Sequence, residues 1–124
     1  MTLSERAWQL WPLLTFAAGN RQTLTYELVS SLTGMHAAGL GRVLEHIQSY
    51  CLLNRLPPLS ALVVNKSTGL PGTGFIAVTD VPREFIRIFE HSWRSLACPT
   101  PDVLAAAVEE LPSNANPSAV QAAD

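Results

Sequence analysis

A chain of 124 residues that is 48% hydrophobic and 15% charged has the composition of one folded domain, able to bury about two-thirds of the surface its unfolded form exposes. That composition excludes a wholly disordered chain. Eight cations against ten acids, a net charge of −2, exclude a strongly basic, phosphate-driven nucleic-acid binder.

The first helix is expected to start at Ser4, a good N-cap, with Glu5 in the first turn where the helix dipole favours an anion. Trp8, Leu10, Trp11, Leu14 and Phe16 make it heavily apolar, and it ends near Gly19-Asn20. Pro12 lies inside it and marks a kink or a restart. Gln22–Leu24 reads as a short strand. Thr25 caps a second short helix from Tyr26 to about Leu32, and Gly34 supplies the left-handed exit.

A third and longer helix begins near His36. Leu40, Val43, Leu44, Ile47, Tyr50 and Cys51 form its apolar face; Gly41, Arg42, Glu45, Gln48 and Ser49 form the polar one. Two short helices around a glycine turn, the second longer and polar on one side, make a helix-turn-helix pattern. Pro57-Pro58 ends the third helix, and Ala61–Val64 reads as a buried strand. Asn65–Gly69 is a turn, and Leu70–Phe75 is a Gly-rich return, so that strand, turn and return form a wing.

Thr79-Asp80-Val81-Pro82 opens a helix predicted to run to about Ala97, with Phe85, Ile88, Phe89, Ser92, Trp93 and Leu96 on one face. Thr100-Pro101-Asp102 starts a last helix through about Leu111. Residues 1–111 are read as a single domain and residues 112–124, rich in small residues, as a disordered tail.

Chemistry-bearing residues are sparse. Cys51 and Cys98 are far apart and flanked by apolar residues, the pattern of two buried free thiols in a reducing cytosol. The start Met1–Glu5 has no basic segment of the kind a signal peptide needs. His36, His46 and His91 have no zinc spacing with one another or with the cysteines, so no metal and no cofactor are expected. No apolar run reaches the length of a membrane span, so no membrane partner is expected either. No pair of carboxylates lies near a histidine in a loop, which argues against a hydrolase.

The order of parts from Leu24 to Phe75 resembles the DNA-binding domain of the alkylguanine-DNA alkyltransferases and alkyltransferase-like proteins. Those chains run Thr-Tyr-Gly-Glu-Leu-Ala, then a recognition helix with a small-small-Arg-x-x-Gly core, then Pro-Cys-His-Arg-Val, then a Gly-rich wing. Here Thr25-Tyr26-Glu27-Leu28, Ala38-Gly39 and Asn65–Phe75 stand in corresponding places, over roughly residues 5–76. Pro57-Pro58-Leu59-Ser60 stands where the Pro-Cys-His-Arg box belongs, so the resemblance implies the architecture without alkyl transfer. It also implies a tyrosine, Tyr26, at a phosphate beside the bound base. Gly39 occupies the place of the arginine that fills the gap left by a flipped nucleotide, and Arg42 is the nearest substitute on that helical face.

The expected fold is therefore mostly α (α+β), a winged-helix-like helix-turn-helix with a small two- or three-stranded wing and C-terminal helices. The expected function is non-enzymatic binding of duplex DNA, weakly, through Tyr26, His36, Ala38, Gly39, Arg42, Lys66, Ser67 and Thr68. The alternative is a protein-interaction module on the same scaffold, an accessory, immunity-type or inhibitor protein, with any exposed tryptophan of the first helix marking the interface.

Overall fold

The computed structural model describes residues 1–72 and 80–111. The expected tail, Thr79 and the end of the Gly-rich return at Phe75 fall outside them. Among the described residues the chain is mostly helical with one small parallel sheet: α1 Leu3–Gly19, β1 Leu24–Thr25, α2 Tyr26–Thr33, α3 Leu40–Leu53, β2 Val63–Val64, α4 Val81–Glu90 and α5 Pro101–Glu110. None of these helices is long and apolar enough to cross a membrane.

The start of α1 corrects the reading of Ser4 as its cap. Thr2 is the N-cap: its hydroxyl accepts from the Glu5 N–H at 3.1 Å, and the Glu5 carboxylate accepts from the Thr2 N–H at 2.9 Å. This reciprocal box satisfies two donors where a lone Ser4 would satisfy one. Pro12 stays inside α1. It has no N–H to give the Trp8 carbonyl, and it is this carbonyl that the Cys98 sulfur approaches, at 4.0 Å. Ala7, Leu10, Trp11, Leu14, Ala17 and Ala18 are buried, a stripe at helical spacing. Trp8 and Phe16, counted among the residues that make this helix apolar, lie outside the stripe and are exposed.

Thr25 caps α2 as expected, accepting from the Leu28 N–H at 3.1 Å, and Gly34 ends the helix with φ +76°. The turn beyond is stitched by hydroxyls: Thr33 donates to the Val29 carbonyl, and the Met35 N–H donates back to the Thr33 oxygen. The third helix does not begin at His36. The His36 imidazole accepts from the Ala38 N–H at 3.3 Å and caps a single 3₁₀ turn, Ala37–Gly39, before α3 proper starts at Leu40. Gly39 and Gly41 weaken α-helix propagation at this point, so the tighter turn makes the entry.

Leu40, Val43, Leu44, Ile47 and Cys51 of α3 are buried as the periodicity requires, with Tyr50 half-buried. Gln48 and Ser49, assigned to the polar face, are also buried. The reason is tertiary. Helix α3 packs on α1, on α5 and on the Leu59–Leu62 turn, which covers more of its circumference than its apolar face. Ser49 is accommodated by donating its hydroxyl hydrogen to the Leu111 carbonyl at 2.5 Å, which meets the need of a buried hydroxyl for a partner.

After α3, Arg55 turns the chain with φ +55° and the Leu56 N–H returns to the Cys51 carbonyl at 2.9 Å. The expected strand Ala61–Val64 is shorter than predicted. Leu59–Leu62 form a buried 3₁₀ turn, and only Val63 and Val64 extend. They pair in parallel with β1, Leu24 opposite Val63 and Thr25 opposite Val64. Asn65 and Leu70 then close a tight hairpin, with Gly69 at φ +69° and an antiparallel bridge between Val64 and Pro71.

Asp80 caps α4, accepting from the Arg83 N–H, but the helix ends at Glu90 rather than Ala97. The Trp93 indole N–H donates to the Ile88 carbonyl at 2.8 Å, and its ring meets Trp11 edge-on at 5.8 Å between centroids. Seating this large ring in the core takes a carbonyl that helix continuation would have used. Ser92 and Leu96, expected on the buried face, are exposed in consequence. Thr100 starts α5 as expected, accepting from the Val103 N–H.

Candidate functional site

One cleft gathers several of the expected residues. It lies where the start of α2, the entry of α3 and the hairpin after β2 meet, and it encloses about 220 Å³. Tyr26, Ala38 and Arg42 line it, together with Leu44, Ser60 and Gly72. The first three come from separate segments and are brought together by two local devices. The Thr25 cap places Tyr26 in the first turn of α2, and the His36-capped 3₁₀ turn presents Ala38 one turn before Arg42.

The remaining expected residues lie outside the lining. His36 and Gly39 are exposed on the entry to α3, and His36 is already committed as a cap. Lys66, Ser67 and Thr68 stand exposed on the hairpin. The Thr68 oxygen accepts from the Leu70 N–H at 3.1 Å, so part of its capacity holds the turn. Glu27 is exposed beside Tyr26, and Glu45 follows Arg42 by one helical turn into the cleft, so acids temper the positive charge along this face.

Tyr26 is half-buried. Burial pushes its phenol pKa up, opposed by the Gly72 backbone hydrogen bond to its oxygen. Gly72 allows this close approach: a Cβ there would lie 2.5 Å from the Tyr26 hydroxyl oxygen. The tyrosine therefore ties the return of the hairpin to the start of α2, a structural role not visible in the sequence.

Ser60, Gln48 and Gly72 are among the lining residues that sequence reasoning missed. Ser60 carried a signal, being the one polar residue in the apolar run Leu59–Val64. Gln48 was read as solvent-facing, and Gly72 was lost among the glycines of its loop.

The cysteines do not reach the cleft lining. Cys51 is fully buried, and its thiol is pushed up to about 12 by that burial. Cys98, expected to be buried, is exposed; its environment pushes its pKa up through partial desolvation. Neither has the depressed pKa of an activated thiol. A thiol reagent at neutral pH is expected to label the native protein at Cys98 alone, with Cys51 labelled only after unfolding in urea. Peptide mapping by mass spectrometry reads this directly, and native labelling of Cys51 at the rate of Cys98 would contradict the burial.

Outside the cleft lining, α1 presents Trp8 and Phe16, 46% and 70% exposed, with exposed Pro12 between them. This face borders a wider groove of about 510 Å³ that also takes in His91 and Arg94.

Comparison of the chain with protein-family models, with curated proteins and with solved structures gives no match.

Proposed function

We propose that this chain is a non-enzymatic nucleic-acid-binding module of winged-helix type, alkyltransferase-like in arrangement and without alkyl transfer. In this reading α2, the Gly34 turn and α3 are the helix-turn-helix, and the hairpin from Val63 to Pro71 is the wing. The observation that carries it is the convergence of Tyr26, Ala38 and Arg42 on one cleft flanked by a hairpin bearing Lys66. Small exposed residues at Ala37–Gly39 let a backbone approach closely, as a groove-reading helix entry requires. Arg42 and Lys66 supply the phosphate contacts, with the exposed Ser67 hydroxyl beside them.

So few cations make the interaction weak and its salt dependence shallow, about one unit of log-log slope for each phosphate neutralised. Fluorescence anisotropy with a short duplex at several salt concentrations tests this. Binding at low salt with a slope of about −2 is expected, and Arg42→Ala and Lys66→Ala should each reduce the slope by about one unit. Absence of binding at low salt, or variants that bind like the parent, would overturn the reading.

A second reading rests on a different face. The α1 stripe of Trp8, Pro12 and Phe16 carries no charge, and aromatic side chains of this kind anchor protein interfaces. If duplex DNA is not bound, this surface makes the chain a protein-interaction module.

A further inference from the structure

We infer that the groove between the second half of α1 and the segment after α4 docks an acidic, apolar peptide segment of a partner protein. The inference rests on the protein-interaction reading and names the chemistry of the partner. Pro12 and Phe16 line one side of the groove, one helical turn apart, and His91, Trp93 and Arg94 line the other. Phe16 is 70% exposed. A large apolar side chain left in water beside a groove, next to another apolar residue, marks a surface that a partner covers. The groove is shaped by a rigid part of the molecule: Trp93 is buried against Trp11, and the His91 ring meets it at 4.5 Å.

Charge decides which partner fits. The chain carries ten acids against eight cations, yet no Asp or Glu lines this groove. Its charged residue is Arg94, which is exposed and has no ion pair among the described residues. Glu90 precedes His91 but does not contribute to the lining. Glu5 lies eleven residues before Phe16 on α1, about 16 Å along the helix, beyond the reach of an exposed charge in salt. The carbonyls that end α1 do not oppose an anion, because those of Phe16, Ala17 and Ala18 already accept from the N–H groups of Asn20, Gln22 and Arg21. A carboxylate on Arg94 beside an apolar side chain on Phe16 and Pro12 therefore complements the groove. A second copy of this chain fits less well, since in a two-fold pairing it would bring the same Arg94 and no acid. A duplex backbone would match Arg94 but offers nothing apolar to cover Phe16.

The test is fluorescence anisotropy of a labelled peptide, Asp-Leu-Phe-Asp-Asp-Leu-Phe-Asp, titrated with the full chain at low salt. The other arms are the same peptide with asparagine at every aspartate, the same with lysine there, and oligothymidylate, whose bases could stack on an exposed aromatic ring. Saturable binding is expected with the acidic peptide, at least tenfold weaker binding with the asparagine version, and none with the other two. Phe16→Ser, at an exposed position where circular dichroism should show an unchanged fold, should weaken the acidic peptide at least tenfold. Arg94→Glu should weaken it about tenfold and make the lysine version the tighter ligand, a reversal that lost folding would not produce. The inference is overturned if the acidic peptide does not bind saturably, if oligothymidylate or the lysine version binds the parent as tightly, or if either variant behaves like the parent. If the asparagine version binds as tightly and still needs Phe16, the protein-interaction reading stands and this inference alone falls. If no peptide binds, both fall.

Discussion

Replacing Ile47 with alanine is expected to destabilise the protein by about 2–5 kcal/mol, the range for truncating a fully buried branched side chain. Ile47 is 0% exposed and sits mid-way along α3, the helix that packs on both α1 and α5. Two neighbouring helices must move if the cavity is to close, so the upper half of the range applies. Ile86, of the same type but 56% exposed on α4, is the control. Its truncation should stay within about 0.5 kcal/mol. Urea unfolding followed by circular dichroism reads both: a lower midpoint with unchanged slope for Ile47→Ala, and superimposable curves for Ile86→Ala. Equal effects at the two positions would contradict the packing of α3 described above.

Gly72→Ala is expected to destabilise by about 1–3 kcal/mol, as overpacking does, although alanine lowers the unfolded-state entropy and at an unhindered site would stabilise. The obstacle is a single atom. The new Cβ would lie 2.5 Å from the Tyr26 hydroxyl oxygen but 3.4 Å from the ring carbon that bears it, close to ordinary contact. Removing that oxygen should therefore remove most of the penalty. In a double-mutant cycle, Gly72→Ala in a Tyr26→Phe background should cost far less than in the parent. A coupling of at least about 0.5 kcal/mol marks residues in direct contact. Additive effects would mean that the hairpin does not rest on Tyr26, and the cleft would lose one of its walls.

Both results depend on positions whose neighbours the sequence does not name. The apolar face of α3 was legible, because Leu40, Val43, Leu44, Ile47 and Cys51 repeat at helical spacing and all are buried. That Gln48 and Ser49 are buried too was not. Period alone assigns a polar residue to solvent, and the covering of Ser49 at the end of α5 and that of Gln48 in the cleft are long-range events. Similarly, Cys98 resembled a core thiol by its flanking residues. Its exposure follows from the turn at Trp93–Ser95, which brings the segment back over the Trp8 end of α1.

The candidate site divides the same way. Ala38 and Arg42 were selected on the helix-turn-helix pattern and Tyr26 on the family resemblance, and the three share one cleft. His36 was selected for the same surface, yet its ring caps a turn instead. Ser60 and Gly72 were not selected, since a lone serine in an apolar run and one glycine among several carry no statement of what lies opposite.

By itself the sequence determined where most helices begin and where one must stop: Thr25 as a cap, Thr79–Pro82 and Thr100–Asp102 as helix starts, Gly34 as a left-handed exit. These signals are read from the sequence because a cap is satisfied within a single turn by atoms three residues away. Only the tertiary structure decided the end of α4, the parallel pairing of Leu24–Thr25 with Val63–Val64, and the cleft beside it. Each depends on which distant groups meet. A buried indole, a strand partner or a cavity wall is fixed by packing the whole chain into the smallest apolar surface, and no local pattern carries that information.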